Sequence, residues 1–148
     1  MFPKAIHIKS ENEIRYGRTQ VGFYQTKAQI EKLLDKHGCD KAITCRDGTF
    51  HILGFEYEGK SYMITIPNVY VKERLVDRIG IRIVYRYLEI ILELAKERAI
   101  DFEGALLCTK MVHTPDGDMP LGEALKHIPE AQLYLPKGSN LGEVENGI

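Results

Sequence analysis

Three consecutive runs rich in β-branched and aromatic residues, joined by two short turns that contain glycine, constrain the fold of this chain most strongly. The runs span residues 42–46, 49–57 and 61–66, and the turns are Asp47-Gly48 and Glu58-Gly59. Asp-Gly is a favoured dipeptide of two-residue hairpins, because both residues tolerate the left-handed backbone that such a turn requires. The sequence therefore predicts a three-stranded antiparallel meander.

The middle run carries apolar side chains on both of its parities. Phe50 and Ile52 alternate on one parity, Leu53 and Phe55 alternate on the other, and Gly54 lies near the change. Successive side chains of a strand point to opposite faces, so an uninterrupted strand would separate these two sets. An extra residue at a β-bulge would bring them to one face, and the pattern therefore predicts a bulge at Gly54.

Helix signals lie on both sides of the predicted meander. Thr26-Lys27-Ala28-Gln29 has the pattern of a capping box, so we expect a helix to begin at Thr26 and to end at Gly38. After Pro67 the sequence predicts a long helix from Asn68 to about Arg98. Gly80 is expected to bend or split that helix.

Two short helices are expected in the last third of the chain. Asp101 can cap a helix that reaches about Lys110, and Pro120 suits the first turn of a helix that reaches about His127. The turn residues 114–117 separate the two. The complete pattern predicts an α+β fold in the order helix, three-stranded antiparallel meander, long core helix and short helices.

The length of 148 residues fits a single domain. We expect residues 1–25, with one strand signal at 5–8, to be a partly mobile N-terminal segment. Residues 26–135 are expected to form one globular domain, and residues 136–148 a flexible tail with little to bury. The sequence has no uncharged apolar stretch of membrane-spanning length and no secretory signal at its start, so we expect a cytoplasmic protein.

No catalytic or cofactor motif is recognisable in the sequence. It lacks the glycine-rich loops that hold nucleotide phosphates and the strand-turn-helix elbow of serine hydrolases. The cysteine and histidine residues of the middle third lack the short C-x₂-C knuckle of a structural zinc site; they are His37, Cys39, Cys45 and His51. We therefore expect no metal, no cofactor and no enzymatic activity, and we infer no small-molecule ligand.

Arginine recurs at every fourth position through the predicted long helix, as Arg74, Arg78, Arg82 and Arg86. This spacing puts successive guanidinium groups about 6 Å apart along a helix axis, in a slanted strip that could contact phosphates or acidic side chains. Glutamates follow at 89, 93 and 97, so the basic side chains come first and the acidic ones last. The helix macrodipole prefers the opposite order, so helix stability alone does not explain the arrangement.

Several short motifs occur in a fixed order along the chain. They are Tyr16-Gly17-Arg18-Thr19, a helix that ends at Gly38, the strand around Phe55, Arg82-Ile83-Val84-Tyr85-Arg86, and Pro115-Asp116-Gly117 followed by Leu121-Gly122-Glu123. In this order the chain resembles a group of small uncharacterised proteins from prokaryotic genomes and their phages. The resemblance implies a mobile-element setting and no particular activity.

The predicted long helix is apolar around more of its circumference than one small sheet can bury, between Ile79 and Ala95. We therefore expect a non-enzymatic interaction or assembly module that forms a homodimer through this helix. The alternative is a nucleic-acid-binding accessory protein of a mobile element, which would use the arginine strip.

Overall fold

The computed structural model describes residues 2–126. It has the α+β fold predicted from the sequence, with more strands than expected. In chain order the elements are β1 Ala5–Ile8, α1 Phe23–Lys36, β2 Asp40–Asp47, β3 Phe50–Tyr57, β4 Lys60–Ile66, β5 Asn68–Val71, β6 Arg74–Leu75, α2 Asp77–Lys96, α3 Phe102–Ala105, β7 Met111–Thr114, β8 Gly117–Pro120 and α4 Leu121–Leu125. The predicted flexible tail, residues 136–148, lies outside the described residues.

The predicted meander is confirmed, because β2, β3 and β4 form one antiparallel sheet in that order. Both turns use the expected glycines in left-handed backbone, with φ of 61° at Gly48 and 75° at Gly59. Leu53, Phe55 and Ile64 are no more than 2% exposed, so their face of the sheet lies against the main apolar core.

The predicted bulge at Gly54 is wrong. β3 pairs with β4 without interruption from His51 to Tyr57, and the register shift of this sheet lies in β2 between Asp40 and Ile43. Phe50 and Ile52 therefore remain on the face opposite the core. They are apolar because that face is also partly covered: it lines a groove whose other side includes residues of β8 and α4.

The predicted start of the long helix at Asn68 is also wrong. Residues 68–71 form β5, which pairs in parallel with β1 and antiparallel with β6. Lys72 and Glu73 make the intervening turn in left-handed backbone, with φ of 52° and 63°. β1 supplies backbone partners that a local pattern does not reveal, and valine and tyrosine then favour a strand. Segment 1–25 thus contributes a strand to a second sheet, and its partial mobility stays a prediction.

α2 is one continuous helix from Asp77 to Lys96, and Gly80 does not split it. Instead, Gly80 is the point at which the helix meets another backbone. A Cβ atom at this position would lie 1.9 Å from the carbonyl oxygen of Pro67. Only glycine permits so close an approach. The contact holds α2 close to the sheet, and Ile81 and Val84 of α2 are fully buried in the core.

α1 begins at Phe23 with Gly22 as its N-cap, so the predicted capping box at Thr26 does not form. Thr26 lies inside the helix and is fully buried. The earlier start buries the ring of Phe23, whose centroid lies 4.5 Å from that of His51. Gly38 follows α1 in left-handed backbone, with φ of 76°, and ends it as predicted.

The last third of the fold agrees with the sequence at its caps and departs from it in length. The Asp101 carboxylate caps α3 as predicted by accepting a backbone N–H of that helix at 2.8 Å. α3 ends at Ala105 instead of Lys110, and residues 111–120 form the β7–β8 hairpin. α4 starts directly after Pro120. Within residues 2–126, no helix combines the length and the apolar character needed to cross a bilayer.

Replacing Gly80 by alanine should destabilise the protein, although alanine is the better helix former. The added Cβ would meet the Pro67 carbonyl oxygen at 1.9 Å, and a backbone obstacle cannot rotate away as a side chain can. We expect the free energy of unfolding, measured by urea denaturation, to fall by about 2 kcal/mol after the gain in helix propensity is subtracted.

Gly54→Ala is the matched control for this substitution. The nearest atom to its added Cβ is the Tyr62 carbonyl oxygen at 3.9 Å, an ordinary contact distance. Its free energy of unfolding should stay within about 0.5 kcal/mol of the parent value. Equal urea midpoints for the parent and Gly80→Ala would contradict the close-contact explanation.

Candidate functional site

The predicted arginine ladder is divided between two elements. Arg74 lies in β6, on an exposed hairpin, whereas Arg78, Arg82 and Arg86 lie in α2. The interruption follows from the later start of the helix at Asp77. The four guanidinium groups therefore do not share one helical strip, and each has its own surroundings.

Arg82 is the most buried member of the ladder, with 9% of the residue exposed. Its Nη1 donates to Oε1 of Gln29 at 2.6 Å, which ties α2 to α1. Its guanidinium carbon lies 4.8 Å from the ring centroid of Tyr85. Among residues 2–126 no carboxylate lies within ion-pair distance of it, so Arg82 acts as a hydrogen-bonded and stacked link between two helices.

The other two helical arginines also have partners within the chain. Arg78 donates from Nε to the Thr19 carbonyl oxygen at 2.9 Å and lies 3.7 Å from a Glu11 carboxylate oxygen. Arg86 donates to one oxygen of Glu89 at 2.8 Å. The Arg86 hydrogen bond lowers the pKa of Glu89 from its ordinary value. The guanidinium groups in α2 are thus largely committed to internal contacts.

Four apolar side chains of α2 form a narrow line on another side of the helix. They are Ile83, Tyr87, Ile90 and Leu94, which we call the α2 strip. At 100° per residue they fall within about 60° of one another around the helix. Ile90 is 56% exposed and the other three are half-buried. Within residues 2–126, neither Ile90 nor Leu94 belongs to an apolar cluster.

The N-terminus covers one part of this line. The ring of Phe2 packs edge-on against Tyr87, with the centroids 5.4 Å apart. Burial raises the pKa of the Tyr87 hydroxyl above its ordinary value. The sequence predicted more apolar surface along the helix than the sheet can bury. In the structure, the part of that surface that stays uncovered is the C-terminal half of the α2 strip, around Ile90 and Leu94.

The cysteine, histidine and glutamate residues that the sequence offers as metal or catalytic sites either lie apart or contact other side chains of the chain. Among residues 2–126, no group of three or more histidine, cysteine, aspartate and glutamate side chains is placed to hold a metal ion. Cys39 is buried, and burial raises the pKa of its thiol to about 11, so it is a poor nucleophile. Glu93 lies 3.6 Å from both Lys36 and His37 at the end of α1.

Sequence reasoning missed a charged cluster centred on Glu103. Its two carboxylate oxygens are bound by Lys110, at 2.7 Å, and by Lys60. The hydrogen bond from Lys110, together with that from Lys60, lowers the pKa of Glu103 to about 2. Lys60 and Glu103 are 43 residues apart, so no local pattern could have indicated this contact.

Removing the arginine side chains one at a time should separate buried from exposed members of the ladder. Arg82→Ala leaves Gln29 without its donor and empties a packed space between α1 and α2. We expect the free energy of unfolding to fall by about 2 kcal/mol. Arg86→Ala loses a pair whose side chains are 37% and 36% exposed, and should cost less than about 1 kcal/mol. Similar urea midpoints for both variants would contradict this assignment.

Comparison with known proteins gives no information on function, so the functional proposal depends on the side-chain geometry described above. No protein-family model, no curated protein and no solved structure matches this chain.

Proposed function

We propose that this protein is an assembly module that forms a homodimer by antiparallel contact between the α2 strips of two copies. The observation that carries the proposal is the exposure of Ile90, 56%, in the middle of an apolar line. A single exposed apolar residue is ordinary on a protein surface, but Ile90 lies one turn from Leu94 on a rigid helix, and neither packs in an apolar cluster of residues 2–126. A second copy supplies the same apolar surface, as a two-fold contact requires.

The spacing of residues along α2 supports an antiparallel arrangement. The midpoint between Ile90 and Leu94 along the helix is at Leu92. The midpoint between Arg86 and Glu97 lies within one residue of the same level. A two-fold axis at that level sets Ile90 of one copy against Leu94 of its partner. The same axis brings Arg86 of one copy close to Glu97 of the other, because both lie along the same edge of the strip.

Charge complementarity favours this arrangement over a parallel one. Two charged residues lie beside the strip: Arg86, whose side chain is 37% exposed, and Glu97, which is exposed. Antiparallel contact places these opposite charges side by side, whereas parallel contact places like charges side by side. Such pairs at the rim of an interface contribute mainly to orientation and partner choice, and the apolar centre contributes most of the affinity.

Ile90→Glu should prevent dimer formation without unfolding the chain. The substitution adds a charge at the centre of the contact on both copies, and the exposed position tolerates it in the monomer. We expect the dissociation constant, measured by analytical ultracentrifugation, to rise at least about 100-fold, which corresponds to about 3 kcal/mol. Ile43→Glu is the control, since Ile43 is 60% exposed and lies on β2, away from the strip.

Charge exchange tests the orientation. Glu97→Arg alone should weaken the dimer, and the double variant Arg86→Glu with Glu97→Arg should recover most of the loss. A parent chain that stays monomeric at several hundred micromolar would refute the proposal.

The second candidate function is nucleic-acid binding by an accessory protein. One observation favours it: Lys72 and Arg74 are exposed on the β5–β6 hairpin, and within residues 2–126 neither pairs with a carboxylate. Phosphate contacts release counterions, so binding would weaken steeply with salt.

If this hairpin binds nucleic acid, replacing Lys72 and Arg74 by alanine should weaken binding uniformly across DNA or RNA sequences. The slope of log K against log salt should fall by about 2, because each phosphate contact releases roughly one counterion. Fluorescence anisotropy at several salt concentrations measures it, with Lys32→Ala on the exposed side of α1 as the control. Absence of salt-dependent binding by the parent chain would eliminate this candidate.

A further inference from the structure

A cavity of about 410 Å³ lies where the β3–β4 turn, the C-terminal end of α2 and the start of α3 meet. Its volume falls within the range of about 300–1,000 Å³ that is usual for small-molecule sites. No residue of the α2 strip is among its described lining residues. An inference about this cavity therefore does not depend on self-association.

Aromatic rings form the floor of the cavity. The ring of Phe102 packs edge-on against Tyr62, with centroids 5.5 Å apart, and tilts against Tyr57 at 4.4 Å. Phe102 and Tyr62 are almost fully buried in the core and hold the half-buried ring of Tyr57 in place. The exposed part of the Tyr57 ring can accept the flat face or edge of another aromatic group.

The charged side chains around the cavity divide into two groups. Lys60 is bound to Glu103, and the Asp101 carboxylate caps α3, so these three are engaged within the chain. Glu58 and Arg98 also line the cavity, and within residues 2–126 neither has an oppositely charged partner within 4 Å. The cavity thus combines an aromatic floor with one anion and one cation that have no ion-pair partner among residues 2–126.

Arg98 occupies the left-handed position that ends α2. Both α1 and α2 end in the same motif, in which an N–H just beyond the left-handed residue donates to the carbonyl five residues earlier, at 2.9 Å. The left-handed residue is Gly38 in α1 and Arg98 in α2, with φ of 76° and 59°. Glycine is the least strained residue at this position, so backbone conformation does not explain the arginine. The arginine side chain lies instead at the cavity.

We propose that this cavity binds a zwitterion with an aromatic body, of the chemical class of a free aromatic amino acid. The ligand carboxylate pairs with Arg98, its ammonium pairs with Glu58, and its ring rests on Tyr57.

The charge balance distinguishes a zwitterion from simpler ions. Three carboxylates and two cations line the cavity, and α2 presents the negative end of its dipole there, so a plain anion is disfavoured. A plain cation would leave Arg98 without a partner. A zwitterion satisfies both charges and adds no net charge.

Three probes that share one aromatic body test the proposal: L-phenylalanine, phenethylamine and 3-phenylpropanoate. Titration of the full chain, followed by amide chemical shifts in NMR, gives each dissociation constant. We expect L-phenylalanine to bind about 10-fold more tightly than either probe with a single charge, with the largest shifts near Tyr57. Arg98→Gly should abolish its advantage over phenethylamine, and Glu58→Gln its advantage over 3-phenylpropanoate.

The β5–β6 turn provides matched controls. Lys72 and Glu73 carry the same two charges in the same left-handed backbone, with φ of 52° and 63°, but do not line the cavity. Lys72→Gly and Glu73→Gln should leave all three affinities unchanged. Arg98→Gly and Lys72→Gly should both raise the melting temperature, because each relieves a left-handed residue with a side chain. Arg98→Gln removes the charge but keeps a residue with a side chain in left-handed backbone. It should weaken L-phenylalanine binding as much as Arg98→Gly does.

Equal affinities for the three probes would overturn the proposal, as would the absence of saturable shifts up to about 20 mM L-phenylalanine. Unchanged L-phenylalanine binding in Arg98→Gly would overturn it as well. The Ile90→Glu variant should bind L-phenylalanine like the parent chain, so this result is separable from the outcome for self-association.

Discussion

The contact between α2 and the chain at Pro67 sets the arrangement of the whole molecule. Pro67 lies between β4 and β5, where the chain passes from one three-stranded sheet to the other. Gly80 lets the α2 backbone approach this junction so closely that no side chain could fit between them. The side chain of Asn68 stabilises the junction further by donating to the carbonyl oxygen of Thr49, just before β3, at 3.0 Å. One helix consequently serves both sheets, with Ile79 in one apolar cluster and Ile81 in the other.

This dependence explains which elements could be predicted from the sequence. The meander, the end of α1 at Gly38 and the cap at Asp101 depend on contacts within a few residues, so local turn and cap chemistry was sufficient. β5 could not be predicted in the same way, because its strand conformation depends on β1, more than 60 residues earlier. The capping box at Thr26 failed for a similar reason: burial of Phe23 against His51 extends the helix by a turn.

The site shows the same division. Fourfold spacing identified the arginines of α2, but spacing alone does not reveal which neighbour each guanidinium meets. Gln29, 53 residues away, is what makes Arg82 a link between helices. The apolar excess of α2 was visible in the sequence, whereas its restriction to the region of Ile90 follows from how α1 and the sheets cover the other sides. The bridge from Lys60 to Glu103 has no sequence signal at all.

The reversed charge order of α2 also receives a physical explanation from tertiary contacts. Arginine early and glutamate late oppose the helix dipole, but that interaction is small away from the helix ends. Arg78 and Arg82 are instead bonded to the Thr19 carbonyl and to Gln29, and Glu93 lies near the basic end of α1. These contacts explain most of the order without any partner molecule. Glu97 and the exposed part of Arg86 take no part in these contacts, and both lie beside the α2 strip, where the proposed second copy would meet them.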